Sequence, residues 1–199
     1  MYTVYGDKIS GNCYKIKLML ELLGLDYHWQ DIDILKKETH SEDFLAMNAN
    51  AKVPVLKLDD GRYLSESNAI LAFLADNTDF LPQNSYQKAK VFEWLFFEQY
   101  SHEPYIAVAR FIQTYLGLPE ERRGEYESKK DGGYRALALM NQQLQQCDFL
   151  CGDTCSIADI SLYAYTHVAD EGGFDLTPYR AITTWFKRIE QLPNYCAMR

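Results

Sequence analysis

Apolar and polar positions follow two different rhythms in this chain, and the change falls about two-fifths of the way along. Tyr2-Thr3-Val4-Tyr5 is a short β-prone run, and behind it Ile16, Met19, Leu20 and Leu23 recur at helical spacing up to Gly24. Residues 27–32 are β-prone again, and 43–47 make a short helical piece. Val53-Pro54-Val55-Leu56-Lys57-Leu58, the turn Asp59-Asp60-Gly61 and Arg62-Tyr63-Leu64 have the composition of a hairpin. A helix over 68–74 follows. The predicted order is β-α-β-α-β-β-α, a parallel unit and then a hairpin. Connections this short favour one α/β layer of four strands.

Near Asn77-Thr78-Asp79 the strand signals stop. Residues 86–116 carry long helical periodicity (Val91, Trp94, Leu95, Tyr105, Val108, Phe111), with a kink expected at Pro104. Further helices are expected over roughly 120–146, from Ser156, and from about 178 to 192, where Pro193 ends the last. The organisation read from the pattern is an α/β domain over 1–76, a linker over 77–85 and an all-helical domain over 86–199.

The chain has 199 residues and 47% hydrophobic content, enough for one large or two small cores. A formal net charge of −8 argues against nucleic-acid binding, because no basic surface stands ready to displace phosphate counterions. There is no run of 18 apolar residues and no basic stretch at the start, so neither a membrane span nor a signal peptide is expected. The expected setting is the cytoplasm. The five cysteines are odd in number and lack disulfide-framework spacing, which favours reduced thiols. Cys147, Cys151 and Cys155 are spaced by four, but Gly152-Asp153 interrupts any helix that would align them and no histidine has matching spacing. No metal is expected there.

The chemistry concentrates in Ile9-Ser10-Gly11-Asn12-Cys13-Tyr14-Lys15, at the turn between the first strand and the first helix. The leading N–H groups of a helix and its dipole favour negative charge there. Ser10 serves either as a helix cap or as a hydrogen-bond donor to a thiolate. Lowering a thiol pKa by two units from about 8.5 requires roughly 2.7 kcal/mol of preference for the anion, within reach of one charge-assisted bond plus a helix start. No His/Asp pattern marks Ser10 as a nucleophile. Asn12 could cap as well. Cys13 is either a half-buried core thiol or one acidified by the helix start, and the CxxC pair of a dithiol cycle is absent.

Val53-Pro54 precedes a strand, and a cis bond there would turn the backbone of Val53 toward an extended peptide; an ordinary trans proline is the other reading. Ser65-Glu66-Ser67-Asn68 opens a helix and either caps it or receives an amino-acid head group, with Ser67 on the carboxylate and Glu66 on the ammonium. Lys52, with Lys37, could supply a cation for a second carboxylate. Ser156-Ile157-Ala158-Asp159 fits a capping box and is read as structural. Tyr105 and Arg110 lie in an aromatic, mixed-polarity stretch suited to an adaptable apolar pocket.

Together these motifs resemble the cytosolic glutathione transferases over essentially the whole chain. Ser10 to Lys15, Val53-Pro54, Ser65 to Ile70, Ser156 to Ser161 and the tail Trp185 to Tyr195 carry the resemblance by order and spacing. It implies a thioredoxin-like first domain that binds glutathione, a helical second domain facing a hydrophobic electrophile, and a homodimer. By that resemblance Ser10 stabilises the glutathione thiolate, Val53 pairs with its cysteinyl backbone ahead of cis Pro54, and Glu66 and Ser67 hold the γ-glutamyl end. Ser10 and Asn12 also resemble bacterial nu-type members, which reduce disulfides with glutathione. Asn48-Ala49 departs from the commoner Asn-Pro before the cis-proline loop. The implied activity is addition of the glutathione thiolate to electrophiles. Its rivals are a glutathione-dependent disulfide or peroxide reductase and a non-catalytic interaction protein on the same scaffold.

Overall fold

The computed structural model describes residues 1–198 and divides into two compact units, one of residues 1–76 with the tail from Leu192, the other Asn77–Gln191. In the first unit β1 (Tyr2–Gly6), β2 (Tyr27–Asp31), β3 (Val55–Lys57) and β4 (Tyr63–Ser65) form one sheet in the order β2-β1-β3-β4. β1 and β2 pair in parallel, while β1–β3 and β3–β4 are antiparallel. Helices α1 (Gly11–Leu22), α2 (Glu42–Met47) and α3 (Ser67–Leu74) complete the predicted order. Val4, Ile16, Leu20, Leu56 and Ile70 are fully buried, so the apolar faces read from the periodicity are the ones that meet.

Two of the three helix starts in this unit carry a side-chain cap. Ser10 caps α1, its Oγ accepting from Cys13 N at 3.4 Å, and Ser41 caps α2, its Oγ accepting from Phe44 N at 3.3 Å. Leu25 N donates to Leu20 O at 3.0 Å past Gly24, whose φ of 63° reverses the chain at the end of α1.

The second unit contains α4 (Ser85–Phe97), α5 (Glu103–Arg110), α6 (Arg123–Ser128), α7 (Lys130–Leu144), α8 (Ile157–Thr166) and α9 (Arg180–Glu190). The disturbance expected at Pro104 is a widened π-helical turn over Glu98–His102, with Glu103 N donating to Glu98 O. Proline lacks an N–H and its ring crowds the carbonyl four residues back, so the preceding turn takes the longer spacing. The single helix expected over 120–146 is broken instead into a 3-10 turn (Glu120–Arg122), α6 and α7. Inside α7, Gly132 and Gly133 lie where a Cβ would come within 2.2 Å of the Tyr105 ring and 2.3 Å of the Phe174 ring. Close approach of aromatic rings requires glycine at both positions.

The capping box before α8 is present and does more than cap. Asp159 is completely buried; its carboxylate accepts from Ser156 N (2.9 Å), Ser156 Oγ (3.0 Å), Leu150 N (2.8 Å) and Trp185 Nε1 (3.0 Å). One side chain thereby joins α8, the loop before it and α9. Burial raises its carboxyl above the ordinary aspartate value, against the pull of these four donors.

Two boundaries differ from the sequence reading. The segment 77–85, expected as a linker, belongs to the helical unit, where Ile157 N donates to Phe80 O at 3.0 Å. The helical domain expected to run to 199 ends at Gln191, and the tail joins the first unit. Tyr14 Oη donates to Cys196 O at 2.8 Å and Lys17 Nζ to Ala197 O at 3.1 Å. No helix among the described residues is long and apolar enough to cross a membrane.

Candidate functional site

Strand register gathers three separated loops at one end of the sheet. Tyr5 lies opposite Val55, and Val55 lies opposite Ser65, so these three residues form a row across β1, β3 and β4. Because β3 runs opposite to its two neighbours, the exit of β1 toward Ser10, the entry to β3 from Val53-Pro54, and the exit of β4 toward Glu66-Ser67 share that end. The Val53–Pro54 peptide is cis.

Ser10 is 9% exposed and acts as a cap, but accepting from Cys13 N engages only an oxygen lone pair. That bond leaves the hydroxyl proton, and the same side chain also hydrogen-bonds the Cys13 thiol. The cap reading of Ser10 stands, and donation to a ligand sulfur would require the hydroxyl to turn away from Cys13.

Across from it, Ser67 Oγ donates to Asn12 Oδ1 at 3.1 Å and receives Lys15 Nζ at 3.3 Å; the same ammonium lies 3.4 Å from Asn68 Oδ1. Lys15 is completely buried. The sequence pattern alone did not mark it; its position three residues after Asn12, on the same face of α1, was the available signal. Glu66, just ahead of α3, has φ 68° and ψ 109°, a conformation that favours glycine. A glutamate held there stores strain of about 1–3 kcal/mol, and such residues cluster at binding sites.

The loop before Val53 is pinned from within. Asn48 Nδ2 donates to Lys52 O at 2.8 Å, while Asn48 Oδ1 receives Asn50 N at 3.1 Å. Asn48 therefore shapes the approach to the cis peptide without the proline usual at the next position. Lys52 is exposed, as is Lys37, which has φ 61°.

Comparison with known proteins gives the same answer along both halves. Residues 9–77 match the glutathione S-transferase N-terminal domain, and residues 90–193 match the glutathione S-transferase C-terminal domain. A glutathione S-transferase structure from Pseudomonas fluorescens is 60% identical, covers 99% of this chain and 98% of its own, and superposes with a TM-score of 0.97. The chain belongs to the glutathione S-transferase family. A second family structure, from Xanthobacter autotrophicus, is 43% identical with a TM-score of 0.95, covering 100% of this chain and 97% of its own. The disulfide-bond oxidoreductase YfcG of Escherichia coli (strain K12) is 29% identical over 189 residues, 92% of this chain and 87% of its own length.

Within this glutathione S-transferase fold the remaining candidates separate clearly. Cys13 is completely buried, and burial pushes its thiol up to about 12, outweighing the hydrogen bonds with Ser10 and Asp7 N. The helix start does not acidify it, because desolvation disfavours a thiolate more strongly than the dipole favours it. Arg110, expected in a co-substrate pocket, is 1% exposed; its Nε and Nη2 each lie 2.8 Å from Glu171 Oε2. Such a side chain presents no surface to a ligand and instead anchors the Ala169–Gly172 turn against α5. Tyr105, half-buried, packs its ring over Gly132.

Among the described residues no group of three or more His, Cys, Asp or Glu side chains is arranged to hold a metal. Burial pushes the Cys151 thiol up to about 12 and the Cys155 thiol well above its ordinary value, the opposite of what metal-binding thiolates require.

Proposed function

We propose that this protein is a glutathione transferase that adds the glutathione thiolate to small hydrophobic electrophiles. Glutathione lies extended across the sheet end, its cysteinyl backbone against Val53 ahead of Pro54 and its γ-glutamyl end at Glu66 and Ser67. Lys52 reaches the glycine end. The Ser10 hydroxyl, with the leading amides of α1, donates to the sulfur and holds it ionised. The thiolate then attacks an electrophilic carbon; a C–S bond forms, the leaving group departs with its electron pair, and the thiol proton has already passed to water. Catalysis comes from a larger thiolate fraction and from proximity.

The observation that carries this reading is the Tyr5–Val55–Ser65 row, which brings the three recognition loops to one edge. It is supported by the place of Ser10 at the start of α1 and of Glu66 and Ser67 at the start of α3, where the leading helix amides favour an anion. The deciding experiment is Ser10→Ala assayed with an aromatic halide. The expected result is a kcat lower by about 10²-fold, the size of losing one oxyanion donor, with the pH profile displaced upward and glutathione affinity largely kept. An unchanged kcat and unchanged pH profile would remove Ser10 from the chemistry.

A second reading has its own support in the name of the E. coli relative, a disulfide-bond oxidoreductase. The same glutathione thiolate would attack a disulfide, forming a mixed disulfide and releasing one half as a thiolate; a second glutathione thiolate would then attack the glutathione sulfur of that mixed disulfide, releasing the other half as a thiolate and forming glutathione disulfide. With Cys13 buried and its thiol poorly ionised, this route runs through glutathione sulfur alone. Turnover of a small dialkyl disulfide relative to an aromatic halide separates the two activities.

A homodimer is part of the proposal. In the helical unit Phe96 is 70% exposed and Tyr100 is 85% exposed, aromatic surface that a second copy would cover. Sedimentation of wild type and Phe96→Glu tests it.

A further inference from the structure

Lys15 is fully buried, and no step of the proposed reaction uses it. It follows Asn12 by one turn on the same face of α1 and reaches the first turn of α3. Two oxygens of that turn receive its ammonium, Ser67 Oγ at 3.3 Å and Asn68 Oδ1 at 3.4 Å. Ser67 in turn donates its single hydroxyl proton to Asn12 Oδ1 at 3.1 Å. The bonds run in one direction, from ammonium to hydroxyl to amide oxygen.

That direction has a physical cause. A lysine ammonium carries donors only, whereas a serine hydroxyl has one proton and two lone pairs. With the ammonium on one lone pair, the Ser67 hydroxyl is polarised and becomes a stronger donor. The positive charge also favours the oxygen end of the Asn12 amide facing α3, because the reverse orientation would turn the amide hydrogens toward a cation. The NH2 end of Asn12 is thereby directed away from Ser67. It is the end that an incoming acceptor meets.

From this we infer that Lys15 is a positioning residue for glutathione binding: acting through Ser67, it fixes the Asn12 amide with its donor end toward the bound peptide. The inference rests on the glutathione reading above and adds to it a residue that, being enclosed, never touches the ligand. Without the ammonium, Ser67 Oγ is free to accept from Asn12 Nδ2 and the amide turns over. Its oxygen then faces an anionic ligand, which is repelled where it was held.

The test is Lys15→Met, which keeps an unbranched buried stem and removes the ammonium. With an aromatic halide as second substrate, KM for glutathione should rise about tenfold while kcat stays within about twofold. Made in Ser67→Ala, the same change should add nothing to KM, because the ammonium acts only through that hydroxyl. An unchanged KM in Lys15→Met, or additive effects in the double variant, would overturn the proposal, since a packing or long-range charge role does not need Ser67. Lys15→Arg returns a charged donor and should bring KM back to within about threefold of wild type; a folded Lys15→Arg without that recovery would also overturn it. The amide orientation is read without glutathione from the side-chain NH2 resonances of Asn12, assigned by their loss in Asn12→Ala. Lys15→Met should move them in the wild-type background and leave them in place in Ser67→Ala. Movement in both backgrounds, or in neither, would exclude the relay. A wild type that fails to bind glutathione on titration overturns the transferase reading, and the Asn12 resonances still decide whether Lys15 sets the amide.

Discussion

Ser67 Oγ donates to Asn12 Oδ1 at 3.1 Å, and this bond joins the heads of α1 and α3, 55 residues apart in sequence. It holds the two helix starts in a fixed relation while Lys15 supports the same hydroxyl from below. A double-mutant cycle on Asn12→Ala and Ser67→Ala should therefore give a coupling of about 0.5–1.5 kcal/mol in urea unfolding, the range of one buried hydrogen bond. Ser67→Ala should also raise KM for glutathione about tenfold and leave kcat nearly as it is. Independent, additive effects would mean that the bond does not link the helices.

Cys13 should be chemically quiet. With its thiol pushed up to about 12, roughly one molecule in ten thousand carries the thiolate at pH 8. A thiol reagent added to folded protein should label the half-buried cysteines first and reach Cys13 on the timescale of unfolding, as followed by mass spectrometry of peptides. Cys13→Ala should retain both transferase and disulfide-reducing turnover. A collapse of either activity would assign Cys13 a chemical role.

Asp159 should matter to stability and not to turnover per folded molecule. Replacing it with Ala leaves the N–H groups of Leu150 and Ser156 and the indole of Trp185 without their acceptor in a buried place. Each such group costs about 1–3 kcal/mol, so Asp159→Ala should lose at least about 3 kcal/mol in urea melts. The soluble folded fraction should show near-normal kcat.

His167 gives the protein a dependence on mildly acidic pH. Its ring stacks on Tyr163 at 4.5 Å and 10°, Nδ1 lies 2.7 Å from Tyr163 O, and burial lowers its pKa below 6.5. The unfolded chain then binds a proton near pH 6.5 while the folded chain does not, so stability is highest above that pH and falls as pH drops through the window below it. His167→Phe keeps a stacked ring and removes the titration. Its stability should vary less between pH 7 and 5 than that of wild type. Parallel curves for the two proteins would exclude His167 as the cause.

What could be read from the sequence was whatever short-range physics decides. Helical spacing from Ile16 to Leu23, the Asp59-Asp60-Gly61 turn, the Ser10 cap and the Ser156–Asp159 box each depend on a few neighbouring residues, and each stands in the structure where the pattern put it. The order β-α-β-α-β-β-α followed from the same local signals. Tertiary structure decided what depends on distant partners. Only register could align Tyr5, Val55 and Ser65 and so bring three loops to one edge. Burial turned Cys13 from a candidate nucleophile into a core thiol, and Glu171, 61 residues away, took Arg110 out of any pocket. Lys15 and the returning tail were missed because a buried ammonium and a docked strap are defined by contacts across the chain. Backbone preference and hydrophobic spacing are properties of a segment, whereas desolvation and ion pairing are properties of the space that the fold creates around it.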